Sequence, residues 1–215
     1  MFTFYFSPGS CSRASHVALE EAGLPYEAKF IDFSANAQRS DSFLKINPKG
    51  RVPALVTERG ILTESPAILA FIAQSAPAKK LAPLYDPFAF ARMQAVNSFM
   101  SSTVHVAHAH GRRASRWADQ PASIEDMKAK VPQTMADCFE LIEEDMLAGP
   151  WVLGETYSVA DAYLYVMSGW LAGDGVDISR FPKVHDHYKR MEQRPAVIRA
   201  LASERDAKTR ATAAK

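Results

Sequence analysis

Apolar and polar residues alternate in short runs over the first seventy-odd positions and recur at helical spacing after that. Phe2 to Phe6 is a short aromatic run that stops at Ser7-Pro8-Gly9-Ser10, the punctuation of a strand giving way to a turn. The apolar positions Ala14, Val17, Ala18 and Leu19 then predict a helix from Ser12 to Ala22, stopped by Gly23 and kept from resuming by Pro25. Tyr26 to Phe33 alternates as a second strand. A polar stretch, Ser34 to Ser42, leads to a short segment Phe43 to Ile46 and the breaker Asn47-Pro48-Lys49-Gly50. Val52 to Thr57 and Gly60 to Thr63 read as a hairpin. Ser65-Pro66 opens a helix through Gln74, with Ser65 as its cap and Pro66 at the first helical position.

Beyond this point the strand signals vanish. Three prolines and two lysines between Pro77 and Pro87 mark a linker, which divides the chain into residues 1–77 and 88–215. Phe88 to Trp117 predicts a long helix with Met93, Val96, Met100, Val104 and Ala107 on one stripe, and Ile124 to Leu147 predicts another. Ser158-Val159-Ala160-Asp161 has the form of a capping box ahead of a helix from Ala162 to Leu171. Lys183 to Gln193 and Ala196 to Glu204 complete the set, and the small, charged tail from Arg205 is expected to fray.

Composition narrows the function classes. The 215 residues are 47% hydrophobic and 23% charged, which is globular composition and excludes disorder. With 25 Lys and Arg against 24 Asp and Glu, the formal charge of +1 leaves no excess of cations for duplex DNA or an anionic membrane surface, so the expected ligand is small. No apolar run is long enough to span a bilayer or to lead an export signal. Two cysteines are too few for a stapled secreted framework, and a cytoplasmic protein is expected.

Cys11 falls between a strand end and the first turn of a helix, where free N–H groups and the helix dipole favour a thiolate, and Arg13 adds a cation two residues on. No second cysteine follows at position 14, so an internal dithiol cycle is excluded; Cys138, within an apolar helical pattern, reads as an inert buried thiol. Glu64-Ser65-Pro66 offers an acceptor for an ammonium and donors for a carboxylate, the two ends of an amino-acid head group. A cis Val52–Pro53 bond would expose the Val52 backbone to an extended peptide. On the long helix, Ser98, Ser101, Ser102, His105, His108 and Arg112 form a polar stripe that can line a cleft. His105, His108 and His110 do not converge for a metal, and none is expected. Arg112, Arg113 and Arg116 read as a solvated helix end.

Ser7-Pro8-Gly9-Ser10-Cys11-Ser12, Asn47 to Leu55, Thr63-Glu64-Ser65-Pro66-Ala67-Ile68 and Gly154 to Tyr163 together resemble the cytosolic glutathione transferases of the bacterial beta class. The resemblance implies an α+β thioredoxin-like N-terminal domain followed by an all-α C-terminal domain, a homodimer, and a detoxifying transfer of the glutathione thiolate to a small hydrophobic electrophile. Carried over by position, it implies that Cys11 contacts the glutathione sulfur and that His105 approaches it from the helical domain. Ser10, Ser12, Arg51, Val52, Pro53, Glu64, Ser65 and Ser98 are then the glutathione-binding residues, with Glu64 and Ser65 at the γ-glutamyl end. Two departures are visible: Ser98 stands where the class commonly has Asn, and Val106 where it commonly has Lys. The co-substrate is expected against Phe6, Val106 and the second-domain helices. A glutathione-dependent thiol-disulfide reductase in which Cys11 itself attacks, and a non-catalytic ligand carrier, are the alternatives.

Overall fold

The computed structural model describes residues 1–213. Strand β1 (Phe2–Phe6) leads into helix α1 (Ser12–Ala22) and strand β2 (Tyr26–Phe30). A short helix α2 (Asp41–Leu44) precedes the hairpin of β3 (Ala54–Thr57) and β4 (Gly60–Thr63), and helix α3 (Ser65–Ser75) closes this part. The strands form one sheet in the order β2-β1-β3-β4. β1 runs parallel to β2 and antiparallel to β3, with Phe4 opposite Leu55. This is the thioredoxin-like arrangement that the resemblance implies. Alternation along β1 sends Phe4 and Phe6 into the core, so Phe6 cannot serve as a wall for a ligand.

Among the described residues the elements after α3 are helices, α4 (Pro87–Phe99), α5 (His105–Arg113), α6 (Pro121–Leu141), α7 (Val159–Ser168), α8 (Pro182–Glu192) and α9 (Pro195–Ala213), with one isolated β-bridge between Trp151 and Gly154. The first two are one continuous rod interrupted by a π-helical segment, Met100–Val104. The capping box forms: the Ser158 side chain and the Asp161 carboxylate each satisfy a backbone N–H at the start of α7. Asp161 is fully buried and also accepts from the Val152 N–H at 2.7 Å and stands 3.1 Å from His187 Nε2.

Among the boundaries that depart from expectation, three have a physical reason in the structure, whereas β3 starting at Ala54, α6 at Pro121 and α7 at Val159 are shifts of two or three residues. β2 ends at Phe30, because Asp32 folds the chain into a turn that accepts from the Ser34 N–H and Oγ. Helix α3 is capped at Glu64 rather than Ser65, with Glu64 at φ 71°, a left-handed conformation that costs a non-glycine residue energy and is found at sites that constrain the backbone. The tail from Arg205 does not fray as far as Ala213; it continues α9, and residues 214 and 215 lie outside the described residues. Helix α1 explains why. Its stripe of four apolar residues predicts one buried face, yet Ser12, Ser15, His16 and Ala22 are buried too, because α3, α7 and α9 all pack against it. Two ion pairs tie it to α9, Arg13 to Glu204 at 2.7 Å and Glu20 to Arg199 at 2.6 Å, and a third, Glu21 to Arg194 at 2.5 Å, holds the residue just before α9.

Candidate active site

The loop from β1 into α1 is held from several sides. Ser12 Oγ accepts the Ser7 N–H at 3.1 Å and lies 2.7 Å from Ser10 Oγ, which donates to the Ser7 carbonyl. Ser12 is therefore sealed in the core as a brace for the loop, whereas Ser10 reaches the cavity wall. Gly9, at φ 73°, is clamped by distant partners: its N–H donates to Glu204 at 3.1 Å and its carbonyl accepts the Trp170 indole N–H at 3.0 Å. On the opposite wall, buried Asn47 donates to the Arg51 carbonyl at 2.6 Å and accepts the Lys49 N–H, fixing the turn ahead of Val52. The Val52–Pro53 bond is cis.

Two cavities meet at Cys11. The larger, about 270 Å³, lies between the Pro8–Cys11 loop and α5. The smaller, about 100 Å³, is walled by Asn47, Pro53, Glu64, Ser65, Pro66 and Tyr163. Cys11, Arg51, Val52, Ser101 and His105 line both. Ser98 lines neither: it is exposed, and its carbonyl accepts from Ser101 and Ser102. The physical reason is the π-helical segment, which adds about one residue to the turn and swings Ser98 off the face that carries His105. Of the expected stripe, Ser101, His105, His108 and Arg112 face the larger cavity.

Cys11 is 8% exposed, and its thiol donates to the Val52 carbonyl at 3.4 Å. Burial raises its pKa to about 11; the Ser65 hydroxyl and the Arg113 guanidinium pull the other way and do not offset it, and the Glu64 carboxylate adds to the rise. The expectation of a thiolate stabilised by the helix start is thus corrected: the thiol is neutral. Arg13 cannot assist, since its guanidinium is committed to Glu204. The cation that faces Cys11 is Arg113, a hundred residues away in sequence.

His105 is also neutral at pH 7. Burial and then the like charges of His108, Arg113, Arg51 and Arg116 drive its pKa down to about 4. His105 therefore acts on a sulfur through a neutral imidazole, as donor or acceptor, rather than as a fixed cation. Its ring lies 5.0 Å from Trp170, which stacks on His108 at 4.1 Å. His108 Nδ1 in turn meets Asp174 at 2.8 Å, and His110 packs edge-on to Trp117. Glu64 is engaged by Lys49 at the mouth of the smaller cavity. Ser65, buried at the start of α3, favours the charged form of both Cys11 and Tyr163, yet burial and then the nearby Cys11 push the Tyr163 pKa well up. Cys138 is buried with its pKa raised, as expected of an inert thiol.

A thioredoxin-like sheet, a cysteine at the start of its first helix, a cis-proline loop beside it and a helical half that closes over both define a thiol-binding enzyme class. The chain belongs to the glutathione S-transferase family: residues 2–74 match its N-terminal domain and residues 121–190 its C-terminal domain. The crystal structure of a glutathione transferase homologue from Sulfitobacter, with bound glutathione, is 48% identical, covers 96% of this chain and 97% of its own, and superposes with a TM-score of 0.89. Glutathione S-transferase GstA of Escherichia coli O157:H7 is 28% identical over 203 residues, covering 93% of this chain and 97% of its own. The disulfide-bond oxidoreductase YfcG of Escherichia coli K12 is 25% identical over 214 residues, covering 94% of each chain.

Proposed function

We propose that this transferase binds glutathione in residues 1–77, with the γ-glutamyl end in the smaller cavity and the sulfur beside Cys11. Its thiolate attacks a small electrophile held in the larger cavity against residues 88–215. The meeting of the two cavities at Cys11 carries this reading: one offers the Glu64 carboxylate and the Ser65 hydroxyl that an amino-acid head group needs, and the other opens toward α5 and Trp170. The Val52 backbone, Pro53 and Arg51 flank the extended tripeptide. Ser10 touches it from the loop; Ser12 braces that loop, and Ser98 has no part in the protomer's own site. The protein works as a homodimer, in the cytoplasm, on electrophiles that the cell must remove.

Nucleophilic attack requires a thiolate, and a thiol with a pKa near 11 supplies little of it at pH 7. That favours the bound glutathione as nucleophile, with the neutral Cys11 S–H and the His105 imidazole as hydrogen-bond partners for its sulfur. The reductase alternative needs Cys11 itself to attack a disulfide. Cys11→Ala separates the two. Conjugation of glutathione to an aryl halide is expected to fall about ten- to a hundredfold and to stay measurable, the loss of one hydrogen bond to a charged sulfur. Loss of conjugation below detection, with glutathione still bound, would transfer the reaction to Cys11 and the reductase reading.

A further inference from the structure

We infer that the co-substrate is an anionic arene, its carboxylate or equivalent oxyanion held by Arg112 and Arg116 at the outer end of the larger cavity. This rests on the glutathione transferase reading and narrows its second substrate. Arg51, Arg112, Arg113 and Arg116 all line that cavity, and no Asp or Glu does. Four arginines elsewhere in the molecule meet carboxylates, Arg13 with Glu204, Arg180 with Glu140, Arg194 with Glu21 and Arg199 with Glu20, while others that lack such a partner among the described residues, such as Arg59 and Arg92, stand exposed on the surface rather than together in a cleft. Among the described residues, none of the four cavity arginines has such a partner.

Placement at a helix C-terminus favours one cation through the macrodipole. It does not favour like charges spaced three and four apart, as 113 and 112 are from 116, which repel. Burial is the largest cost to the charge of Arg113 and of Arg116, and neighbouring cations add to it, Arg51 and Arg112 against Arg113, and Arg113 and Arg51 against Arg116. A chain with a net charge of +1 has concentrated unpaired cations in one cleft. Glutathione accounts for part of this. Arg51, beside the cis-proline loop, is within the tripeptide's wall and suits its glycyl carboxylate, and Arg113 lies over the Phe33 ring at 5.5 Å and faces Cys11. Arg112 and Arg116 remain, both exposed, on the side away from the smaller cavity. Guanidinium forks match a carboxylate, and Trp117 and Trp170 supply flat apolar walls for a ring.

The test compares 4-chloro-3,5-dinitrobenzoate with the corresponding neutral benzamide, which share ring and leaving group. In each, the glutathione thiolate forms a C–S bond at the chlorine-bearing carbon, chloride leaves with the bonding pair, and the thiol proton passes to solvent. Each kcat/KM is divided by the uncatalysed rate with glutathione. The benzoate is expected to be favoured about tenfold or more, the worth of one or two charge-assisted hydrogen bonds. That ratio should fall toward one in Arg112→Ala/Arg116→Ala and in about 0.5 M salt. Because the ratio is read, a general loss of activity cancels. A wild-type ratio near or below one overturns the inference while leaving the transferase reading intact. So does a variant that raises the KM for glutathione with the ratio unchanged, since the arginines then serve the tripeptide. Should glutathione bind but neither arene react, affinity for the two S-aryl conjugates decides: tighter binding of the acid conjugate upholds the anionic cavity, and equal binding overturns it. Failure to bind glutathione at all removes the transferase reading and this inference with it.

Discussion

At pH 7 a thiol with a pKa near 11 is ionised in about one molecule in ten thousand. Alkylation of Cys11 by iodoacetamide in the unliganded protein is therefore expected to rise about tenfold per pH unit from pH 7 to about 10 without a plateau, followed by intact mass. A plateau with its midpoint below about pH 8 would show a thiolate that burial has failed to suppress. The sign for stability runs the same way: the native thiol ionises at higher pH than an exposed one, so its contribution is full below the exposed value of 9.0 and is lost as pH rises through about 11. At this scale the sequence located Cys11, Arg51, Val52, Glu64, Ser65 and His105 on the cavity walls. It missed Glu204, Trp170, Tyr163 and Arg113, which reach the Cys11 loop or its sulfur from far along the chain; the Gly9 bonds to Glu204 and Trp170 span 195 and 161 positions. It also overstated the helix start. A local rule about free N–H groups says nothing of the burial that comes from the other half of the molecule.

Among the elements, α9 and the interrupted rod α4–α5 were the least legible. Apolar periodicity fades after Glu204, so the tail reads as loose, yet Ala207 within it is buried, and Glu204 at its root is 2% exposed and holds both Arg13 and the Gly9 N–H. Glu204→Gln is expected to cost about 2–4 kcal/mol in urea unfolding, below the upper range for a broken buried pair because Arg13 keeps 23% of its side-chain surface in water. The same variant should loosen the Pro8–Cys11 loop and weaken glutathione binding. A cost under about 0.5 kcal/mol would reduce the pair to an ordinary surface contact. The rod fails for another reason. Its residues carry a sound helical stripe, but one wide turn at Met100–Val104 changes the face on which every later residue falls, and nothing in the local pattern marks it. Where signals are strictly local, reading succeeded: the strand β1, the helix α1, the hairpin and the Ser158 box stand where the pattern puts them.

The two halves share one main core, with a smaller cluster of Ile31, Phe43 and Val52 beside it. Phe4, Leu19 and Ile68 from the sheet half belong to the same buried cluster as Met100, Tyr163 and Val197 from the helical half. Unfolding in urea is accordingly expected as a single transition, coincident by far-UV circular dichroism and tryptophan fluorescence. Residues 1–77 on their own should lack native structure, since α1 would expose the side it now presents to α7 and α9. Two separated transitions, or a dispersed amide spectrum from residues 1–77 alone, would show that the halves fold independently.

By itself the amino-acid order determined the succession of strands and helices, the turn chemistry of the loops and the family to which the chain belongs, because those follow from periods of two and 3.6 and from short motifs. Protonation states, the partner of Arg13 and the arginine-lined wall of the larger cavity were decided only in three dimensions. Each depends on burial and on charges brought together from positions as far apart as Arg51 and Arg116, and electrostatic energy is set by distance and dielectric rather than by place in the chain.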